Sequence, residues 1–201
     1  MQKPAPADHP VADVVKNRWS PRAFSEKPLP SEVLQSLFEA ARWAPSSGNE
    51  QPWAFLVATK DDAGTHGKLL STLVDSNQIW AKHAPVIGIA VSRLNWSKSG
   101  QPNRTAFYDT GAAMANLTAE ATSRGLFVHQ MGGFDPSKAR ELFHVPLDWE
   151  PIAAFVFGYP GDPNSLPEPY LSREKNPRTR KPLREFVMSS DWGKPAAFLN
   201  P

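Results

Sequence analysis

Two guanidinium groups and a hydroxyl alternate along a short stretch near the N-terminus. Arg18, Ser20 and Arg22 occupy every second position, so in an extended segment their side chains point the same way. Such a set suits a phosphate or another planar anion, because guanidinium groups bind oxyanions through paired, charge-assisted hydrogen bonds. The alternative is a solvated basic turn, which the spacing alone favours slightly.

A polar turn between a predicted helix and a predicted strand is the second candidate. Residues 46–51 read Ser-Ser-Gly-Asn-Glu-Gln, and Pro45 and Pro52 flank them and stiffen the backbone. So many amides and hydroxyls between two regular elements favour a polar lip that faces a ligand. A helix cap followed by a solvated turn is the alternative.

A glycine pair at the end of a predicted strand is the third candidate. Gly132 and Gly133 follow Gln130 and Met131, and glycine lets backbone N–H groups approach a ligand because it has no Cβ. A plain tight turn explains the pair equally well. Several cations cluster in the proline-rich segment beyond Tyr159, namely Arg173, Lys175, Arg178, Arg180, Lys181 and Arg184.

Composition excludes several kinds of chemistry. The chain has no cysteine, so thiolate catalysis, disulfides and cysteine-based metal sites are excluded. The five histidines have no ligand spacing, so no metal site is expected, and we interpret His83 and His129 as packed or capping residues. A net charge of +2 is too small to indicate nucleic-acid binding by itself. No signal-peptide core and no apolar run of about 18 residues is present, which predicts a cytoplasmic protein. What remains could hold a cofactor that brings its own chemistry.

Hydrophobic periodicity predicts one domain in which buried strands alternate with helices. The prolines near both ends indicate extended segments, a disordered lead over residues 1–10 and an irregular segment beyond Tyr159. Helices are predicted at 31–42, from 61 or 62 to 73, at 105–124 and at 135–143, a short helix or loop at 75–83, and strands at 53–58, 85–91, 126–129 and 152–158.

Taken together and in order, these motifs resemble the nitroreductase family of FMN-dependent NAD(P)H oxidoreductases. The resemblance spans about residues 11–187, which implies one FMN-binding domain there and a C-terminal tail at 188–201. The most specific match is the stretch from Ala44 to Trp53. The other matches are Arg18-x-Ser20-x-Arg22, the helix from Asp109 to Leu117, Gly132-Gly133 and Arg180-Lys-Pro-Leu183.

The resemblance implies a role for each motif. Arg18 would bind the FMN phosphate with help from Arg178 or Arg180, while Ser20 and Arg22 would face the ribityl and pyrimidine parts. Trp19, Gln130 and Met131 would flank the flavin, and an amide from Asn77 would meet the pyrimidine ring. The Gly132-Gly133 backbone would reach flavin N5 and O4, with Gly133 near N5. The turn residues Pro45, Ser46, Ser47 and Asn49 would come from the partner subunit.

The resemblance also implies an α+β fold, with a mixed central sheet flanked by helices, in an intertwined homodimer. FMN would carry the chemistry, so no catalytic side chain is expected. NADH or NADPH would supply a hydride to a nitroaromatic, quinone or similar acceptor in ping-pong order, with Trp96 or Phe107 beside the acceptor. The alternatives are a flavin-storage or flavin-sensing protein and a specialised flavin enzyme such as a reductive dehalogenase. Binding of nucleic acid by the basic tail is disfavoured.

Overall fold

A computed structural model describes residues 1–199, so Asn200 and Pro201, the end of the predicted tail, lie outside the described residues. Four strands form the central sheet: β1 (Trp53–Thr59), β2 (Val86–Arg93), β3 (Phe127–Met131) and β4 (Trp149–Gly158). The seven α-helices are α1 (Asp13–Asn17), α2 (Ser31–Arg42), α3 (Ala63–Thr72), α4 (Asp75–Ala81), α5 (Ala106–Ser123), α6 (Pro136–Phe143) and α7 (Tyr170–Lys175).

The sheet has the strand order β1-β2-β4-β3, and each neighbouring pair is antiparallel. The α+β class is confirmed, whereas the expected mixture of strand directions does not occur within residues 1–199. The reason lies in the connections. The helix α5 joins β2 to β3, which run in the same direction, but β4 lies between them and pairs with both.

Helices cover both faces of the sheet because side chains alternate along each strand. On one face, Val86 and Phe155 pack with the apolar sides of α2 and α5. On the other face, Ile87 and Val156 pack with α3 and α6. The strand β2 is buried from Val86 to Ser92, which confirms the prediction of a buried strand at 85–91.

Local sequence signals mark three of the helix boundaries. Asp62 caps α3 by accepting a hydrogen bond from the N–H of Thr65 at 3.0 Å. Asp135 caps α6 in the same way through Lys138. Gly125 ends the α5 region in the left-handed conformation, with φ of 72°. The segment beyond Tyr159 was predicted to be irregular, but it contains the short helix α7.

The residue 1–10 lead contains no helix or strand, and the division into lead, domain and tail stays a prediction. No helix within residues 1–199 is both long and apolar enough to cross a membrane. The cytoplasmic location likewise stays a prediction.

Candidate functional site

The segment from Arg18 to Arg22 contains no helix or strand, bends at Arg22 and has two different sides. Arg18, Ser20 and Arg22 are partly exposed, whereas Trp19 and Pro21 between them are buried. The Arg18 Nη1 donates to Ser20 Oγ at 3.3 Å. The structure therefore places the two guanidinium groups and the hydroxyl on one side, as the alternation predicted.

A small cavity beside this segment is strongly basic. It has a volume of about 240 Å³, and Arg18, Ser20, Arg22 and Trp19 line it. The pKa of Arg18 is lowered, first by burial and then by the neighbouring charges of Arg178 and Arg180. The remaining residues of its lining are Lys3, Arg173, Glu174, Asn176, Pro177, Arg178 and Arg180.

The guanidinium groups around this cavity form no side-chain ion pair within residues 1–199, although the carboxylate of Glu174 lies in the same lining. Within residues 1–199, every ion pair that involves an arginine belongs to Arg42, Arg93, Arg124 or Arg140. Five arginines and Lys3 against the single carboxylate of Glu174 leave a net positive charge, which suits a doubly charged anion such as a phosphate. The arginines that surround the cavity without an ion pair are Arg18, Arg22, Arg173, Arg178 and Arg180.

The two candidate arginines of the proline-rich segment beyond Tyr159, Arg178 and Arg180, differ in what they contact. Arg178 donates from Nη1 to the carbonyl oxygens of Lys3 at 2.7 Å and Lys16 at 3.0 Å. It therefore connects the segment beyond Tyr159 to α1 and to the residue 1–10 lead. Arg180 is exposed, and within residues 1–199 its one side-chain hydrogen bond goes to the carbonyl oxygen of its neighbour Thr179, so its side chain is freer to meet a ligand.

A second cavity of about 410 Å³ shares Arg18 and Ser20 with the basic one. Its other walls are mainly apolar or small, and Gln130 from β3 is among them. The side chain of Met131, the next residue, is instead buried in the core. The remaining lining residues are Val14, Val15, Ala115, Thr118, Ala119 and Val128.

Gly133 of the glycine pair lies against Asn77. The Asn77 Nδ2 donates to the carbonyl oxygen of Gly133 at 3.0 Å, and the N–H of Val74 donates to the same oxygen at 3.1 Å. A Cβ on Gly133 would lie 2.7 Å from Asn77 Nδ2, so this contact requires glycine. The N–H of Gly133 has no acceptor within residues 1–199, which leaves it free for a ligand.

Trp80 connects the arginine segment to α4. The Arg22 guanidinium carbon lies 5.9 Å from the centre of the Trp80 ring, which is the range of a cation–π contact. Trp80 lies one turn after Asn77 on α4. Arg22, Trp80, Asn77 and Gly133 therefore form a continuous series of contacts.

His129 is a packed residue, as interpreted from the sequence. Its ring packs against the ring of Trp80 at a tilt of 38°, with the ring centres 4.5 Å apart, and Nδ1 lies 2.7 Å from the carbonyl oxygen of Pro21. Burial lowers the pKa of His129 to about 4. His83 differs, because its Nδ1 lies 2.8 Å from Glu26 Oε1 at the surface.

The polar turn is fastened to α5. The N–H of Ser47 donates to Asp109 Oδ2 at 3.1 Å, and Asp109 is buried. Gly48 and Asn49 adopt left-handed conformations, and a Cβ on Gly48 would lie 3.4 Å from the Trp96 ring. Pro45, Ser47 and Asn49 are exposed, while Ser46 is partly buried and accepts a hydrogen bond from the N–H of Gln51.

Within one chain, this turn is not part of the basic cavity. Neither cavity that Arg18 lines includes any residue from Pro45 to Asn49. Asn49 instead lines a separate cavity of about 230 Å³ with Arg42 and Trp43. The assignment of the turn to the partner's site stays a prediction.

The two aromatic residues predicted beside the acceptor also lie near the turn. Trp96 packs against Gly48, and Phe107, which is 52% exposed, lies in the first turn of α5 near Asp109. Tyr108 is 81% exposed beside Phe107, and the sequence reading did not select it. Neither Trp96 nor Phe107 lines the cavities next to Arg18.

The sequence reading also missed Lys3, Asp109 and Glu174. Asp109 lies in the helix that matches the family, but no role in the site was predicted for it. Glu174 sits in the run Arg173-Glu174-Lys175, which is typical of a solvated surface, although its side chain is buried. No local sequence pattern reveals that burial, because its partners lie far away in the chain.

Comparisons with known proteins agree with this geometry. A model described as the nitroreductase family matches residues 15–66 and 65–159. An uncharacterized 15.4 kDa protein of Mycolicibacterium smegmatis is 40% identical over 99 residues, which are 48% of this chain and 67% of that protein. A putative NADH dehydrogenase/NAD(P)H nitroreductase of Stenotrophomonas maltophilia is 29% identical, covering 72% of this chain and 81% of that protein.

Solved structures agree as well. A crystal structure described as an oxidoreductase containing FMN has a TM-score of 0.88 and 34% identity, covering 94% of this chain and 96% of the other. A nitroreductase family protein from Clostridium difficile has a TM-score of 0.68 and 27% identity, covering 89% and 96%. Because the family model matches well over half of its residues, the chain belongs to the nitroreductase family.

Proposed function

We propose that this protein transfers a hydride from NADH or NADPH through FMN to a nitroaromatic, a quinone or a similar acceptor. As a nitroreductase-family enzyme it is an FMN-dependent NAD(P)H oxidoreductase. The observation that carries the proposal is the excess of arginines, none of them in an ion pair, around the cavity beside Arg18 and Arg22.

The residues of the site fit FMN at both of its ends. Arg18, with Arg178 or Arg180 from the segment beyond Tyr159, offers the positive charge that a phosphate dianion requires. At the other end, the free N–H of Gly133 lies next to Asn77, at a position where a Cβ would collide with the amide. The cavity shared by Arg18 and Ser20 has apolar walls, which suit a flat aromatic ring.

The protein residues position and polarise the cofactor. When bound, FMN accepts a hydride from the nicotinamide and passes the electrons on to the acceptor. The Arg22 cation would stabilise negative charge at the N1 and O2 edge of the ring, and the Gly133 N–H would donate toward N5. His129 is unsuited to acid–base catalysis at neutral pH, since it is buried and its pKa is about 4.

The site would be completed by a second subunit. The exposed turn Pro45–Asn49 and the nearby Trp96 and Phe107 lie outside the cavities of their own chain. In a homodimer, a turn that carries free polar groups can serve the partner's flavin, and the aromatic side chains can pack against the acceptor. If donor and acceptor use one place in turn, the kinetics follow a ping-pong order.

The test begins with the absorption spectrum of purified protein under anaerobic conditions. We expect a flavin spectrum that NADH or NADPH bleaches and that a nitroaromatic or a quinone restores. Initial rates at several acceptor concentrations should give parallel double-reciprocal lines, and light scattering should give a dimer. A protein that binds FMN but is not reduced by either nucleotide would instead be a storage or sensing protein. Intersecting lines would show that donor and acceptor bind together and would reject the ping-pong order.

A further inference from the structure

Glu174 is a buried carboxylate that contacts the arginine segment through its backbone. Its side chain is only 1% exposed. Both carboxylate oxygens accept the N–H of Arg22 at 3.0 Å, and Oε1 also accepts the N–H of Ala23 at 3.2 Å. These partners lie 152 and 151 residues earlier in the chain, so the contact joins two distant segments.

The helix that carries Glu174 is itself held in place. The ammonium group of Lys3 donates to the carbonyl oxygens of Glu174 and Asn176, both at 2.6 Å, at the end of α7. Beyond α7, Arg178 returns to the carbonyl oxygens of Lys3 and Lys16. The carboxylate of Glu174 therefore extends to the arginine segment from α7, which hydrogen bonds connect to the lead and to α1.

The partners of Glu174 indicate what it does. Burying a carboxylate is costly unless hydrogen bonds replace its water. Within residues 1–199, Glu174 takes part in no side-chain ion pair, and the donors to its carboxylate are the two backbone N–H groups. Its negative charge also lies at the edge of a cavity that would bind an anion, where charge alone would weaken binding.

We propose that Glu174 is a positioning residue for the cofactor. By fixing the backbone at Arg22 and Ala23, it holds the bend at Arg22 and keeps Arg18 and Arg22 turned to one side. The guanidinium of Arg22 thereby stays above Trp80, between the phosphate end and the Gly133 end of the site. The inference rests on the proposed function, since FMN is the ligand that the two arginines would hold.

The charge and the position of Glu174 predict opposite results. If only the charge mattered, Glu174→Gln would strengthen the binding of FMN, because one repulsive carboxylate would be removed. If the carboxylate positions the segment, the same variant should weaken binding, because the amide keeps one acceptor oxygen instead of two and places an NH2 group where Oε2 now accepts the N–H of Arg22. Glu174→Asp keeps the charge but is one methylene shorter, so it should also weaken binding.

The experiment titrates FMN into apoprotein and follows the quenching of flavin fluorescence, at a temperature where circular dichroism shows each variant to be folded. We expect the Kd to rise by roughly tenfold or more in Glu174→Gln. Glu174→Asp carries the test if the glutamine variant fails to fold. Unchanged or tighter FMN binding in a folded Glu174 variant would overturn the inference while leaving the proposed function intact. Wild-type apoprotein that does not bind FMN would overturn both.

Two controls separate position from general stability. Glu141→Gln removes an exposed carboxylate from α6, and Ile87→Val trims a side chain buried in the core; both should keep the wild-type Kd. An Arg22→Ala background supplies the readout that a merely structural role would not change. In that background, Glu174→Gln should raise the Kd for FMN by a clearly smaller factor than it does with Arg22 present, because the effects of substitutions at contacting residues are not additive. A full and additive loss would show that Glu174 does not act through Arg22.

Discussion

The side-chain amide of Asn77 donates a 3.0 Å hydrogen bond to the carbonyl oxygen of Gly133, 56 residues further along the chain. This bond fixes α4 to the turn after β3. The N–H of Gly133 has no acceptor within residues 1–199. The two adjacent glycines differ in their surroundings. A Cβ on Gly133 would meet Asn77 Nδ2 at 2.7 Å and Val74 Cγ2 at 3.1 Å, whereas one on Gly132 would meet nothing within 4 Å.

Gly133→Ala should therefore destabilise the apoprotein. The added methyl group forces Asn77 or the turn to move, at a cost of about 1–3 kcal/mol in the free energy of unfolding. Urea unfolding of apoprotein measures this cost. Gly132→Ala is the matched control and should stay within about 0.5 kcal/mol of wild type. Equal stabilities of the two variants would contradict the role assigned to Gly133.

A second pair of variants separates ligand binding from architecture in the basic cavity. Arg18→Ala removes a guanidinium whose side-chain contact is the weak one to Ser20, so it should weaken FMN binding by roughly 1.5–3 kcal/mol with little loss of stability. Arg178→Ala should also lower the melting temperature, because it breaks two contacts to the carbonyl oxygens of Lys3 and Lys16. FMN binding by fluorescence and thermal unfolding of the apoprotein measure both effects. Arg18→Ala with wild-type FMN affinity would rule out Arg18 as the phosphate ligand.

A third prediction concerns the attachment of the polar turn to α5. Asp109 is buried and accepts hydrogen bonds from the N–H of Ser47 and from Thr105 Oγ1. Asp109→Ala should cost about 1–3 kcal/mol, since it leaves a donor without its acceptor. Hydrogen exchange at the Ser47 amide should become faster. Ser47→Ala keeps the backbone donor and should leave both quantities near their wild-type values; a loss as large as that of Asp109→Ala would show that the hydroxyl of Ser47 matters instead.

The parts of the site that follow a local period could be predicted from sequence. The alternation of Arg18, Ser20 and Arg22 with buried Trp19 and Pro21 is a property of any extended segment with one covered side. The helix α2 begins and ends where its apolar stripe predicts, at Ser31 and Arg42. The contact between Asn77 and Gly133 was not predicted, because no local pattern links α4 to β3 and the resemblance placed each residue only beside the flavin.

The parts that depend on distant contacts could not be predicted. Glu174 stands among charged neighbours and its acceptor role depends on N–H groups more than 150 residues away. Lys3 likewise belongs to a segment whose composition indicates disorder, and only the arrival of α7 gives its ammonium group two carbonyl partners. The antiparallel sheet has the same origin, because strand direction depends on which strands become neighbours and not on how apolar each strand is.

The last prediction is a pH dependence that comes from His129. Burial is the largest cause that lowers its pKa, from 6.5 to about 4, and the charges of Arg22 and Arg18 act in the same direction. Above pH 6.5 the residue is neutral in both the folded and the unfolded chain, so its contribution is constant. Between pH 6.5 and about 4 the unfolded chain binds the proton more readily, so the free energy of unfolding falls as the pH falls. Below about pH 4 both states are protonated and the contribution levels off.

Urea unfolding of apoprotein at several pH values between 7 and 4 tests this expectation. His129 should contribute a slope of up to about 1.4 kcal/mol per pH unit, the maximum for one proton. His129→Gln keeps a donor toward the Pro21 carbonyl but cannot titrate, so its stability should depend less steeply on pH. A residual slope is expected, because burial also lowers the pKa of His66. His9→Gln, in the exposed lead, should follow the wild-type curve. If His129→Gln has the wild-type slope, the buried imidazole is not the group that loses stability in acid.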